Sequence, residues 1–227
     1  MARRDYQAQL DELEDDILYM SELVRDRLRE GLATLETKDE DAAMEVITGD
    51  HEINELYLDL EQRCIDLLAL QQPVAGDLRF VASSFKIITD LERIGDLATN
   101  LAEYAIEAQR DRYPDVDIQT IGDTAEQMVE DAMIAYTGRN PEMCREIVER
   151  DEDLDEMCEK ASNAVVMGLI EQEFEEMNHT EEEIEVILQD VSRLLLTIRD
   201  LERVGDHAVN ISARTFYMIE ADDELIY

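Results

Sequence analysis

The segment DLERIGDLATN at Asp90–Asn100 returns as DLERVGDHAVN at Asp200–Asn210, 110 residues later, with eight of the eleven positions identical. No other feature constrains the fold as strongly. A unit used twice at a fixed offset builds the same local structure twice, and its copies either stack or carry their own cores. Each copy keeps three acids, an arginine, a mid-segment glycine and a terminal asparagine.

The residues around the repeat read as helix. Leu, Glu, Ala, Ile, Met and Arg dominate and favour that state, while only eight Gly and three Pro interrupt 227 residues. Short alternating runs between Gly or Asn turns, the mark of strands, are absent. Periodicity predicts six helices, over about Tyr6–Glu36, Asp39–Leu70, Gly76–Gln109, Ile118–Thr137, Glu142–Glu173 and Thr180–Glu220. Gln71-Gln72-Pro73 ends the second, because proline disfavours helix in the residue before it. Tyr113-Pro114-Asp115 closes the first half. Gly138 through Pro141 reads as a stop followed by proline at a helix start, and Thr180 with Glu183 forms a capping-box pattern. Asp50 corresponds to Asp151 at an offset of 101, nine fewer than the later repeat, which fits a longer loop over Glu175–Thr180. The expected fold class is all-α: two tandem three-helix bundles, over residues 1–113 and 114–227.

Charge narrows the class of partner. The chain has 58 acids against 20 bases, a net charge of −38, and only three of the bases are lysines (Lys38, Lys86, Lys160). Such a chain repels itself unless salt screens it. An acid-rich, lysine-poor coat is that of salt-accumulating halophiles, so a halophilic, archaeal origin is expected and most acids belong to a solvated surface. No basic stripe exists to neutralise phosphates, which excludes direct nucleic-acid binding. No run approaches the roughly 20 apolar residues that span a bilayer, and residues 1–16 lack the apolar core of a signal peptide. The expected location is cytoplasmic, reaching the membrane only through a partner. Cys64, Cys144 and Cys158 form no CxxC pair and read as reduced, buried thiols.

The repeat also marks where apolar patterning gives way to something else. One seam of the third helix runs Phe80, Ile87, Leu91, Ile94, Ala98, Leu101. A second runs Val74, Leu78, Val81, Phe85, Ile88 and then reaches Glu92. The sixth helix repeats the second seam as Ile184, Leu188, Val191, Leu195, Ile198 and then Glu202. Two seams suit a helix flanked by two neighbours. Residues four apart stack on one helix face, so Glu92, Asp96 and Asn100 form a ladder of oxygen donors, with Glu202, Asp206 and Asn210 as its twin. Asp151 with Asp155, and Asp50 with Asn54, repeat the spacing on the second and fifth helices. Stacked carboxylates at the end of an apolar seam repel and are costly to desolvate. A bound cation relieves both, and oxygen donors at this spacing suit divalent cations. The candidate metal ligands are therefore Glu202, Asp206, Asp151, Asp155, Glu92, Asp96 and Asp50, with Asn54, Asn100 and Asn210 as weaker donors. Arg93 and Arg203 sit about 100° around the helix and are expected to point elsewhere. Gly95 and Gly205 point to close approach of a neighbouring helix or ligand. His51 and His207 do not recur between the halves and are expected to be incidental. No nucleophile–base pair, glycine-rich phosphate loop or dinucleotide fingerprint is present, so no catalytic residue is assigned.

At these residues the sequence resembles a known family. Gln71-Gln72-Pro73 through Asp77-Leu78-Arg79, leading into DLERIGD, is similar to the PhoU family of phosphate-transport regulators. The duplicated ExxxD of Glu92–Asp96 and Glu202–Asp206 is that family's hallmark, and DxxxD at Asp151–Asp155 matches it on a partner helix. The resemblance covers nearly the whole chain. It implies two three-helix bundles, multinuclear iron or zinc clusters (magnesium or manganese as further candidates), homodimers or higher oligomers, and a negative regulatory role in phosphate uptake without enzymatic activity. The implied partners are the nucleotide-binding subunit of a phosphate ABC transporter and a sensor kinase or transcription regulator. Asn54 departs from the acidic pattern. Two readings of other classes stand beside this one: a metal-dependent hydrolase using the paired carboxylates, and a metal-free helical adaptor.

Overall fold

Apolar residues at spacings of three and four, with few breakers, produce long helices that bury one stripe each. A computed structural model of the chain describes residues 2–70, 74–108, 116–175 and 180–226. Six helices account for nearly all of them: α1 (Ala2–Thr37), α2 (Glu40–Leu70), α3 (Ala75–Glu107), α4 (Ile118–Gly138), α5 (Pro141–Glu175) and α6 (Glu181–Glu220). They match the predicted helices apart from a few terminal residues, and no strand occurs among the described residues. The breaks expected at residues 71–73 and 113–115 lie outside the described residues, as do residues 176–179 of the longer loop.

The helices pair as the repeat requires. α1, α2 and α3 pack on one another, as do α4, α5 and α6; α3 then packs on α6, and α1 on α4. α2 and α5 thus flank a central layer of four helices. One apolar cluster runs through both halves, from Leu13, Ile17 and Ile94 to Val129, Leu154 and Val204, so the bundles share a core. Close approach is built in at the α1–α3 crossing, where a Cβ on Gly31 would stand 2.7 Å from the Ala98 carbonyl oxygen. The first seam of α3 is buried throughout. The second is buried at Val81 and Ile88 but opens to solvent at Leu78, which is 46% exposed, as is its counterpart Leu188 at 50%.

Among the polar contacts that join the halves, two sets involve α1. At α1–α4, Arg25 Nε and Arg29 Nη2 lie 2.8 and 2.7 Å from Glu126 Oε1, and Arg25 Nη2 lies 2.8 Å from Glu130. At the far end Arg139 donates to Glu14 at 2.8 Å, with its guanidinium near the faces of Phe80 and Tyr136. These contacts explain a departure from the sequence pattern. The left-handed residue that ends α4 is Arg139, at φ 49°, and not Gly138. Such a conformation costs a non-glycine residue about 1 kcal/mol, and the contacts of its side chain offset it. The α6 start follows the pattern: Thr180 and Glu183 complete a reciprocal capping box. All three cysteines are buried free thiols, as their spacing predicted.

Candidate functional site

The two acidic ladders lie on equivalent helix pairs, α2 with α3 and α5 with α6. In each, the ladder helix approaches its outer neighbour closely because a glycine stands at the centre of the motif. A Cβ on Gly95 would meet Ile53 at 3.1 Å, and one on Gly205 would meet Leu154 at 2.3 Å. Ile53 and Leu154 are themselves related by the offset of 101. The close approach expected at these glycines is therefore to a neighbouring helix.

In the first bundle the charge is largely met. Asn54 Nδ2 donates to Asp50 Oδ2 at 2.7 Å, and Thr99 Oγ1 donates to Asp50 Oδ1 at 3.4 Å. Arg93 lies 3.6 Å from Glu92 and 4.0 Å from Asp96. The expectation that Arg93 points elsewhere is overturned: its long side chain folds back along its own ladder. Burial, followed by the neighbouring Asp96, pushes the Glu92 carboxyl up; burial, followed by Asp50, does the same to Asp96. A cleft of about 240 Å³ opens here, lined by Asp50, Arg93, Asp96, Thr99, Asn100 and, from the other bundle, Arg203.

In the second bundle the charge of Asp151 is not met. Asp151 Oδ1 is buried with no hydrogen-bond partner. Burial, then the charge of Asp155, followed by those of Asp206 and Glu202, pushes the Asp151 carboxyl up to about 6. Glu202 and Asp206 are also raised, by burial first and by Asp155 next. Asp155 is thus the charge felt by all three of its neighbours. A buried carboxylate oxygen without a donor costs free energy that a cation or proton would recover. The donors are all oxygens, which suits hard and borderline divalent cations. Among the described residues, however, no three His, Cys, Asp or Glu side chains converge closely enough to hold an ion as they stand.

The remaining candidates serve other contacts. Asn100 Nδ2 donates to Asp200 Oδ2 at 3.1 Å and Asn210 Nδ2 to Asp90 Oδ1 at 3.3 Å, each across the α3–α6 interface. His207 serves the same interface: its Nδ1 lies 2.9 Å from Asp90 Oδ1. His51 stays local, with Nδ1 2.6 Å from the Thr48 carbonyl oxygen. Asp90, Asp200, Thr99 and Tyr104 carry no role in the sequence reading. For Asp90 and Asp200 the signal was present, since both stand at the first position of the repeat.

Comparison with known proteins agrees with the geometry. The PhoU domain profile matches twice, at residues 7–105 and 118–215. The chain is 32% identical over 222 residues to the phosphate-specific transport system accessory protein PhoU homolog 1 of Methanothermobacter thermautotrophicus, covering 96% of this chain and 93% of the relative. It is 29% identical over 222 residues to the PhoU homolog of Clostridium acetobutylicum, covering 96% of each. The crystal structure of PhoU from Pseudomonas aeruginosa superposes with a TM-score of 0.86 at 27% identity, covering 96% of this chain and all 100% of that one. The phosphate transport system regulatory protein PhoU from Streptococcus pneumoniae superposes at 0.83, with 28% identity over 96% of this chain and 98% of that one. Two tandem copies of one helical unit, each with its acidic ladder, and a match along nearly the entire length make this chain a member of the PhoU family.

Proposed function

We propose that the chain is a regulator of phosphate transport that represses uptake through protein contacts and performs no catalysis. The observation that carries this reading is the duplicated PhoU domain over residues 7–105 and 118–215, shared with relatives described as accessory proteins of phosphate-specific transport systems. Its contact is the nucleotide-binding subunit of a phosphate ABC transporter, and its signalling partner a sensor kinase or transcription regulator. It acts as a homodimer in the cytoplasm. Among the described residues no helix is long and apolar enough to cross a membrane, in keeping with attachment through a partner. Exposed apolar positions such as Leu78 and Leu188, rather than the acidic coat, supply the contact area. The coat itself is that of a protein working in concentrated salt, and helical circular dichroism is expected to collapse below about 0.5 M salt, where screening weakens.

The acidic ladders are the regulatory metal sites of this proposal. Asp151, Asp155, Glu202 and Asp206 hold one ion or cluster; Asp50, Glu92 and Asp96 form the other set. The unpartnered Asp151 oxygen and the crowded carboxylates around it support the assignment. Capture requires the exposed Asp155 and Asp206 to turn toward Asp151. An all-oxygen set favours iron, manganese or magnesium over zinc, whose sites draw more on nitrogen and sulfur. Deleting the gene in its host tests the regulatory role. Phosphate uptake under phosphate-replete growth should rise and return to normal on complementation. Unchanged uptake, or pull-downs at working salt that recover no transporter component, would overturn it.

A further inference from the structure

The duplicated motif does more than place two acidic ladders. Its first and last residues meet their opposite numbers in the other copy. Asn100, the last residue of the first copy, donates to Asp200, the first of the second, at 3.1 Å; Asn210 donates to Asp90 at 3.3 Å. We propose that this exchange of asparagine amides is a reciprocal latch between the bundles, and that it fixes the orientation of one acidic ladder relative to the other.

The two arms share the Asp–Asn pair and differ in what each copy adds. Asp200 is fully buried, and its Oδ2 also accepts from Tyr104 at 3.0 Å, while Oδ1 lies 3.3 Å from Arg199 and 3.5 Å from Arg203. Asp90 keeps 16% of its side chain exposed and takes His207 as its extra partner at 2.9 Å. The additions are not copies: Tyr104 corresponds to Arg214, and His207 to Leu97. Retention of the Asp–Asn pair in both arms, with unrelated second donors, identifies the pair as the common device.

Position gives the latch its consequence. Glu92 and Asp96 lie between Asp90 and Asn100 on α3, and Glu202 and Asp206 lie between Asp200 and Asn210 on α6. Each helix is therefore pinned on both sides of its own ladder. A buried carboxylate with four donor side chains around it, as Asp200 has, tolerates little displacement, because losing a donor leaves a desolvated charge. Asn100 also lines the cleft that holds Asp50, Asp96 and Arg203, so the Asp200 arm is in contact with the first ladder's surroundings. The latch holds whether or not either ladder carries an ion.

Interchange of the partners tests it. Spin labels at Asp59→Cys and Lys160→Cys, both exposed and on the outer helices, report the distance between bundles, since the native thiols are buried. The parent protein should give one narrow distance. Asn100→Asp places two carboxylates face to face and should broaden the distribution and lower the melting midpoint by several degrees. Asn210→Asp should do so less, because Asp90 keeps His207. The double change Asn100→Asp with Asp200→Asn restores an amide–carboxylate pair and should narrow the distribution again. Tyr104→Phe and Asn210→Asp, each leaving a donor on the carboxylate, keep the test readable if Asn100→Asp fails to fold. Unchanged narrow distances in the single variants, or a double variant no narrower than Asn100→Asp alone, would overturn the proposal.

Discussion

In the first bundle, Asp50 receives an amide from Asn54 at 2.7 Å and a hydroxyl from Thr99 at 3.4 Å. In the second, the equivalent Asp151 buries an oxygen that has no hydrogen-bond partner. Two substitutions between the repeats set the difference: Asn54 has Asp155 as its counterpart at offset 101, and Thr99 has Val209 at offset 110. The amide donates to the neighbouring acid, whereas the carboxylate repels Asp151, Glu202 and Asp206 together. The acid on α2 is satisfied by its own protein, and its counterpart on α5 keeps an unpaired oxygen. A repeat can thus keep its ExxxD signature in both copies while the acids that face it differ in their partners.

The largest expected effect is on metal content. Ligand charge is a main determinant of affinity for hard cations, so the four carboxylates of the second bundle should retain metal longer under chelator than the three of the first. Glu202→Gln with Asp206→Asn should bring the second patch to background by elemental analysis. Folding should change little, because neutralising these acids also relieves their repulsion. Equal metal stoichiometry in parent and variant would remove the second patch from the account.

A smaller effect is expected in stability. Asn54→Asp abolishes the 2.7 Å bond and introduces like charges. It should cost about 1 kcal/mol in chelator, read as a fall of about 2–4 °C in melting temperature for a chain of this size. With added divalent metal the loss should shrink. A variant as stable as the parent in chelator would show that the amide does not neutralise the first ladder.

The dependence on pH sharpens the contrast further. Asp151 titrates at about 6, raised by burial and by its acidic neighbours from an ordinary value of 3.8. The folded state therefore binds a proton over a range where the unfolded chain has released it. Its contribution favours folding below about pH 4 and is lost as pH rises through about 6. In chelator the melting temperature should fall between pH 5 and 7, and Asp151→Asn should flatten that slope. A slope unchanged by the substitution would assign the titration to other groups.

Much of this was legible in the sequence. The helices, the capping box and the tandem organisation followed from periodicity, because the first seam of α3, with Val81, Ile88, Val191 and Ile198 of the second, fills the core. The ladders were legible because acids replaced seam residues at one register twice. What could not be read was tertiary. Arg93 looked remote from the ladder on a helical projection, but a long side chain reaches back across a turn. Asn100 and Asn210 looked like further rungs, yet their amides face the other bundle, and only the packing of α3 on α6 supplies Asp200 and Asp90 as acceptors. Nor does spacing distinguish a carboxylate that has a donor from one that lacks it, and that distinction separates the two ladders.

The most direct test is metal retention by the parent protein and by Asp155→Asn after dialysis against a chelator. The substitution gives the second bundle the amide that the first already has. The parent should keep metal at the second patch, Asp155→Asn should release it as readily as the first patch does, and the variant should melt slightly higher in chelator. Equal retention in the two proteins, or a variant that melts lower, would contradict the claim that the Asp155 carboxylate is what draws a cation to the second ladder.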